Sequence, residues 1–136
     1  MALYDPVLMK HARKPYGFGG LEGARSACDT NRPCGDRVCF HVHDMVVRFE
    51  GEGCALAIGA ASALCEAVDG RQRDEAYAIA SALLEVLNGT QPVMALVGDL
   101  AHFAATRDFP ARRGCVSLAS LVLCKALGDP HEGGPP

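Results

Sequence analysis

Polar and hydrophobic residues alternate over residues 37–43, a period of two that predicts a half-buried β-strand. The apolar side chains of this strand share one face, and they are Val38, Phe40 and Val42. The dipeptide Asp44-Met45 is typical of a tight turn, after which residues 46–50 return as a second strand. A further short strand is predicted over residues 24–30. This part of the chain therefore predicts an antiparallel hairpin with one hydrophobic face.

Helical periodicity dominates the rest of the chain, where apolar residues recur at spacings of three and four. The pattern predicts helices over residues 3–14, 54–68, 74–87 and 97–105, and from Cys115 to near Gly128. Asp74 is the predicted N-cap of its helix, and residues 109–114 are predicted to be a loop. Because strands come early and helices late, we expect an α+β fold, with helices packed on one face of a small antiparallel sheet.

Length, charge and composition narrow the class of protein. A chain of 136 residues suits one hydrophobic core, so we expect a single domain over residues 1–128 and a disordered tail over residues 129–136. The formal net charge is −3. Because nucleic-acid-binding proteins need a cluster of basic residues to contact phosphates, we expect no nucleic-acid partner. The apolar stretch from Cys54 onward contains Glu66 and has helical periodicity, so we expect no membrane span. The first residues do not resemble a secretory leader, which favours a cytoplasmic protein.

Seven cysteines are the unusual feature of the composition. Their odd number and the expected cytoplasmic location make a disulfide framework the poorer interpretation. Burial as small hydrophobic side chains is the default for cysteine, and we expect it for Cys65 and Cys124. Cys28 and Cys39 match no motif, and Cys28 is expected to be nearer to any site. His41 and His43 share one strand face, where a solvated polar surface is favoured over a second metal site.

Three cysteines lie at junctions where glycine frees the backbone: Cys34 in a Pro-Cys-Gly-Asp loop, and Cys54 and Cys115 at predicted helix starts. A helix N-terminus favours the thiolate, which is the form that binds metals. Asp36 lies two residues after Cys34 and projects to the same side if a strand begins there. Three sulfurs and one carboxylate oxygen suit tetrahedral zinc. From the residues alone, a shared metal site and separate burial of the three cysteines are equally favoured.

The sequence resembles the SufU branch of the IscU/NifU-type iron–sulfur cluster assembly proteins. The resemblance runs from about residue 3 to residue 127 and depends on three cysteine motifs in the family's order. The motifs are Asn31-Arg32-Pro33-Cys34-Gly35-Asp36-Arg37, Phe49-Glu50-Gly51-Glu52-Gly53-Cys54 and Phe109-Pro110-Ala111-Arg112-Arg113-Gly114-Cys115. Further matches are Leu3-Tyr4, Met9, His11, Pro15 and Gly98-Asp99-Leu100. Scaffold-type relatives carry a histidine directly before the third cysteine, where this chain has Gly114, and they lack an insert that residues 88–105 provide here. Both points favour SufU.

The resemblance implies an IscU-type fold, with Zn²⁺ held by Cys34, Asp36, Cys54 and Cys115. It implies a zinc-dependent sulfur acceptor of the sulfurtransferase type, in which Cys34 receives persulfide sulfur. The implied partners are a SufS-type, pyridoxal-phosphate-dependent cysteine desulfurase and downstream iron–sulfur scaffold proteins. Two alternatives stay open: a scaffold that assembles a [2Fe–2S] cluster on the same ligands, and a diverged structural zinc protein.

Overall fold

A three-stranded antiparallel sheet is the centre of the fold in the computed structural model, which describes residues 3–128. The strands are β1 (Arg25–Asn31), β2 (Asp36–His43) and β3 (Val46–Glu52), and they lie side by side in chain order. The predicted strands and hairpin are confirmed. The third strand continues beyond residue 50 through Gly51, where a Cβ atom would lie 2.7 Å from the carbonyl oxygen of Arg37. Glycine at this position therefore permits a close approach to β2.

Four α-helices and two 3₁₀ segments complete the described chain. The helices are α1 (Pro6–Arg13), α2 (Ala55–Val68), α3 (Arg73–Leu87) and α4 (Pro110–Leu127). The 3₁₀ segments are Val93–Ala95 and Gly98–Asp108, and the second covers the helix predicted over residues 97–105. The predicted tail over residues 129–136 lies outside the described residues, and the single-domain organisation over residues 1–128 stays a prediction.

The core lies between the sheet and the helices. One face of the sheet is fully or almost fully buried, and its side chains are Val38, Phe40, Val42, Val47 and Phe49. Helices α2 and α4 pack on the sheet, while α1 packs on α2 and α3 on α4. Burial of this apolar surface is the main stabilising term of the fold. The predicted α+β class, with helices covering the sheet, is confirmed.

Two predicted helix starts are wrong. Asp74 is not an N-cap: α3 begins at Arg73 after Gln72, and Asp74 lies in the first turn, where a carboxylate complements the positive end of the helix dipole. The predicted loop over residues 109–114 is mostly helix, because Pro110 occupies the first position of α4. Proline fits that position since its missing N–H would have no partner within the helix. Within residues 3–128, no helix combines the length and the apolar character needed to cross a bilayer.

Candidate metal centre

Three predicted ligands meet where the β1–β2 turn reaches α4. Cys34 lies in that turn, Asp36 is the first residue of β2, and Cys115 lies in α4. Each offers one ligand atom, and these sulfur and oxygen atoms all lie within 4.8 Å of one another. The Cys115 thiol donates a hydrogen bond to Cys34 Sγ over 3.2 Å. Residues that are as many as 81 positions apart in the sequence therefore form one cluster.

The turn that carries Cys34 closes on Asn31. The backbone N–H groups of Cys34 and Gly35 both donate to the Asn31 carbonyl oxygen, at 3.2 and 2.9 Å. Gly35 has a φ of +72°, a conformation that residues with a Cβ resist. Cys34 is partly exposed in this turn, whereas Asp36 and Cys115 are buried. Cys34 is thus the cluster member that lies on a loop and reaches solvent.

Asp36 joins the turn to the start of α2. Its side chain is fully buried, and Oδ1 accepts a hydrogen bond from the backbone N–H of Cys54 over 2.9 Å. Gly53 makes this approach possible: its φ is +142°, and a Cβ there would clash with Asp36 Oδ1 and lie 2.8 Å from Asp36 Cα. The carboxylate therefore has a structural role at the helix start besides its availability as a ligand.

Cys54 begins a helix as predicted. It is the N-cap residue of α2, and its side chain is partly exposed. It is near enough to Cys115 to help raise the pKa of that thiol. The geometry brings Cys54 to the edge of the cluster, although it does not belong to the group of ligand atoms that all lie within 4.8 Å of one another.

Cys115 does not begin a helix, so its predicted thiolate-favouring position is wrong. Because α4 starts at Pro110, Cys115 lies in the second turn and is fully buried. Burial raises the pKa of the Cys115 thiol well above its usual value, and hydrogen bonds with Cys34, Asp36 and Cys54 raise this pKa further. The raised pKa favours the protonated Cys115 thiol, and a bound cation would displace that proton, which is the usual linkage between metal binding and thiol ionisation.

Asn31 is a residue of the cluster that sequence reasoning left without a role. Its Nδ2 donates to Asp36 Oδ2 over 3.3 Å and to Cys115 Sγ over 3.5 Å. A Cβ on Gly114 would lie 3.4 Å from Asn31 Oδ1, so the amide packs against this glycine. Asn31 is the first residue of the first cysteine motif, and this position is the feature of the sequence that could have indicated its role in the cluster. Its amide orients two candidate ligands, as second-layer donors do around metals.

The four cysteines other than Cys34, Cys54 and Cys115 lie apart from these proposed ligands. Cys28 and Cys39 face each other across β1 and β2 and form a disulfide, which corrects the expectation that they would be unpaired. Directly opposed positions on neighbouring strands bring two Cβ atoms within bridging distance. Cys65 is buried, donates to the Val47 carbonyl oxygen, and has its pKa raised to about 12 by burial. Burial also raises the pKa of Cys124.

The two strand histidines lie in different surroundings, since the side chain of His41 is largely buried and that of His43 is exposed. His41 contacts Ser26 Oγ at 2.6 Å and Glu50 Oε1 at 2.8 Å. His43 is exposed and lies 3.7 Å from a carboxylate oxygen of Asp44. Among residues 3–128, neither histidine belongs to a group of close metal-ligating atoms, and the solvated face stays a prediction.

The donor set of the cysteine cluster fits zinc. Two sulfurs and one carboxylate oxygen already converge, and a third sulfur borders them. Thiolate and carboxylate are established zinc ligands, and four such ligands complete a tetrahedral structural site. The same soft sulfurs also suit iron–sulfur clusters, so donor chemistry alone allows both.

Comparison with known proteins gives consistent matches. The family model of the NifU-like N-terminal domain matches residues 3–116. The chain is 30% identical to the iron–sulfur cluster assembly scaffold protein IscU of Streptococcus pyogenes serotype M1, over 92% of this chain and 82% of that protein. It is 29% identical to the zinc-dependent sulfurtransferase SufU of Bacillus subtilis strain 168, over 97% and 93% respectively. The crystal structure of FiSufU from Fervidobacterium islandicum AW-1 superposes with a TM-score of 0.81 at 25% identity, covering 93% of this chain and 97% of that one.

Proposed function

Because the chain belongs to the NifU-like N-terminal domain family, we propose that it is a zinc-dependent sulfur acceptor in iron–sulfur cluster assembly. The proposed zinc ligands are Cys34, Asp36, Cys54 and Cys115. The convergence of sulfur and carboxylate donors supports this set, as does the similarity to the B. subtilis protein named a zinc-dependent sulfurtransferase. Gly114 also supports a sulfur acceptor over a scaffold, since the resemblance implies a histidine at that position in scaffold-type proteins.

The observation that carries the acceptor role is the contrast between Cys34 and its neighbours. Cys34 is partly exposed on a turn whose next residue is a glycine with positive φ, whereas Asp36 and Cys115 are buried in regular elements. Zinc, when bound, supplies the positive charge that keeps the thiols of its ligands ionised. Cys54 is also partly exposed, but it is the N-cap residue of α2. We therefore propose Cys34 as the ligand that turns toward a partner while the other residues keep their positions.

The proposed step is a thiol exchange. The Cys34 thiolate attacks the outer sulfur of a cysteine persulfide on the donor protein. A sulfur–sulfur bond forms at Cys34 as the donor's sulfur–sulfur bond breaks, and the donor cysteine leaves as a thiolate. The proposed donor is a SufS-type, pyridoxal-phosphate-dependent cysteine desulfurase, and iron–sulfur scaffold proteins are the proposed recipients. We place this exchange in the cytoplasm.

A scaffold that assembles a [2Fe–2S] cluster is the second candidate. Its support is the similarity to the S. pyogenes protein, which is named a scaffold and matches at nearly the same identity as the B. subtilis protein. The metal content of protein purified without air separates the two candidates. The sulfur-acceptor proposal expects colourless protein with about one zinc per chain. Brown protein with iron and inorganic sulfide in that sample would favour the scaffold.

Desulfurase turnover with cysteine as substrate tests the acceptor role. We expect added wild-type protein to raise turnover and Cys34→Ser to abolish this effect while zinc stays bound through Asp36, Cys54 and Cys115. Cys124→Ser is the matched control, because Cys124 is also partly exposed but lies toward the other end of α4. Full stimulation by Cys34→Ser would remove Cys34 as the acceptor. A structural zinc protein would leave turnover unchanged even as wild type.

A further inference from the structure

A second group of metal-ligating side chains lies between α1, α2 and the Gly98–Asp108 segment. It consists of His11, Glu66 and Asp99, whose ligand atoms all lie within 4.8 Å of one another. His11 Nε2 is 2.9 Å from Asp99 Oδ2 and 4.0 Å from Glu66 Oε1. The three side chains line a cavity of about 170 Å³ at the protein surface. One imidazole nitrogen and two carboxylates therefore converge on one point.

Buried neighbours fix the orientation of the His11 ring. His11 is only 7% exposed, and its Nδ1 lies 2.7 Å from the hydroxyl oxygen of the buried Ser62. The Ser62 hydroxyl is itself fixed by the backbone N–H of Tyr16, which donates to it over 2.7 Å. The 2.9 Å contact of His11 Nε2 with Asp99 Oδ2 is a hydrogen bond when Nε2 carries the proton. When Nδ1–H donates to Ser62 instead, the lone pair of Nε2 faces the two carboxylates and is available to a cation. Metal-binding histidines usually donate their other N–H to such a fixed partner.

The group is open on its carboxylate side. The side chains of Glu66 and Asp99 are 50% and 43% exposed, so an ion can reach them from solvent. Lys10 and Lys14 also line the cavity, and both are exposed. Their long stems allow the ammonium groups to extend into water when a cation binds. Two carboxylates disfavour an anionic ligand at the same point.

We propose that His11, Glu66 and Asp99 bind one divalent transition-metal ion, in a site separate from the cysteine cluster. A nitrogen and carboxylate donor set suits Mn²⁺, Fe²⁺ or Zn²⁺. Glu66 and Cys54 lie twelve positions apart along α2, which corresponds to roughly 18 Å. The two sites therefore share a helix and no ligand. His11 and Asp99 come from the short sequence matches outside the cysteine motifs, and this site gives both a role.

The proposal is tested with zinc-loaded protein that carries one zinc ion per chain, so that zinc occupies the thiolates and leaves the second group empty. This protein is titrated with Mn²⁺, and the electron paramagnetic resonance signal reports the free Mn²⁺. Mn²⁺ is the weakest competitor in the divalent series, so it leaves zinc on the thiolates. We expect one Mn²⁺ to bind per chain, with affinity lowered about tenfold or more in Asp99→Asn and in Glu66→Gln. Glu66→Gln guards against misfolding, because Glu66 is half exposed and its change keeps the side-chain shape. Glu75→Gln is the control, since Glu75 is an exposed carboxylate of α3 that pairs with Arg71.

Two outcomes would overturn the site. One is that zinc-loaded protein leaves Mn²⁺ free even at millimolar concentration. The other is that both ligand variants bind Mn²⁺ as the wild type does. A loss of thermal stability in Asp99→Asn without Mn²⁺ binding in the wild type would show that the group is only a structural ion pair. These results do not depend on whether Cys34 accepts sulfur, so the two proposals fail separately.

Discussion

The two ends of α2 carry two different donor groups. At its N-terminus, the cysteine cluster is mostly buried and joins the β1–β2 turn to α2 and α4. Toward its C-terminus, Glu66 belongs to a partly exposed group that joins α1 to the Gly98–Asp108 segment through His11 and Asp99. Sulfur donors select soft metals, and nitrogen and carboxylate donors select harder ones. Two donor groups on one helix therefore differ in the metals that their chemistry favours.

Removal of zinc should cause the largest loss of thermal stability, and it should affect only the cysteine cluster at the N-terminus of α2. At a zinc concentration a thousandfold above the dissociation constant, binding stabilises the folded chain by about 4 kcal/mol. We therefore expect chelation to lower Tm by about 14 °C in a thermal melt. Glu66→Gln should show the same fall, because the second group does not hold this zinc. An unchanged Tm after complete removal of zinc would contradict a site that joins the sheet to two helices.

Gly53→Ala should disrupt the cysteine cluster without replacing any of the proposed ligands. The new Cβ would clash with Asp36 Oδ1, and the φ of +142° disfavours alanine. We expect a loss of about 2–3 kcal/mol in the free energy of unfolding and a clear loss of zinc affinity. Gly70→Ala is the matched control: its φ is +85°, but nothing lies within 4 Å of its Cβ position. Equal zinc affinity in both variants would show that the close approach of Asp36 is dispensable.

Asp36→Ala and Asp36→Asn separate the structural role of the carboxylate from its charge. Alanine leaves the Cys54 N–H without its buried acceptor, so we expect a loss of about 1–3 kcal/mol in the free energy of unfolding of zinc-free protein. Asparagine keeps an oxygen acceptor and should lose less. Urea unfolding of the zinc-free variants measures this difference. If alanine is no worse than asparagine, the contact with the start of α2 does not stabilise the fold.

Asn31→Ala should give the smallest effect. It removes the two hydrogen bonds to Asp36 and Cys115 and leaves all four proposed zinc ligands in place. We expect a loss of about 0.5–1.5 kcal/mol in stability and a modest weakening of zinc binding, measured by competition with a chelator. Mn²⁺ binding at the second group should be unchanged. A weakened Mn²⁺ site would show that the two ends of α2 are coupled after all.

The sequence predicted those features that depend on local patterns. Alternation placed Val38, Phe40 and Val42 on the buried face, and the glycines before Cys54 marked the start of α2. The start of α4 was misplaced because proline and glycine within residues 109–114 are typical of loops as well as of a helix beginning at Pro110. Local patterns also could not distinguish the thiolate-favouring start of a helix from the buried second turn that Cys115 occupies.

Features that depend on distant residues were beyond sequence reasoning. The Cys28–Cys39 disulfide requires the register of β1 against β2, which the pattern of either strand alone does not fix. The pairing of His11 with Asp99 spans 88 positions and depends on how α1 packs beside the Gly98–Asp108 segment. The family resemblance was enough to predict that the three cysteine motifs form one site. The contacts of Asn31 with Asp36 and Cys115 could be seen only in the folded structure.

The most direct test of the central claim locates the transferred sulfur. Zinc-loaded protein is mixed with a persulfide-carrying cysteine desulfurase for one turnover, its thiols are alkylated, and its peptides are analysed by mass spectrometry. We predict one added sulfur atom on the peptide that contains Cys34, and none on the peptides that contain Cys54, Cys115 or Cys124. Added sulfur on one of those other cysteines, or on no cysteine of this chain, would contradict the assignment of Cys34 as the sulfur acceptor.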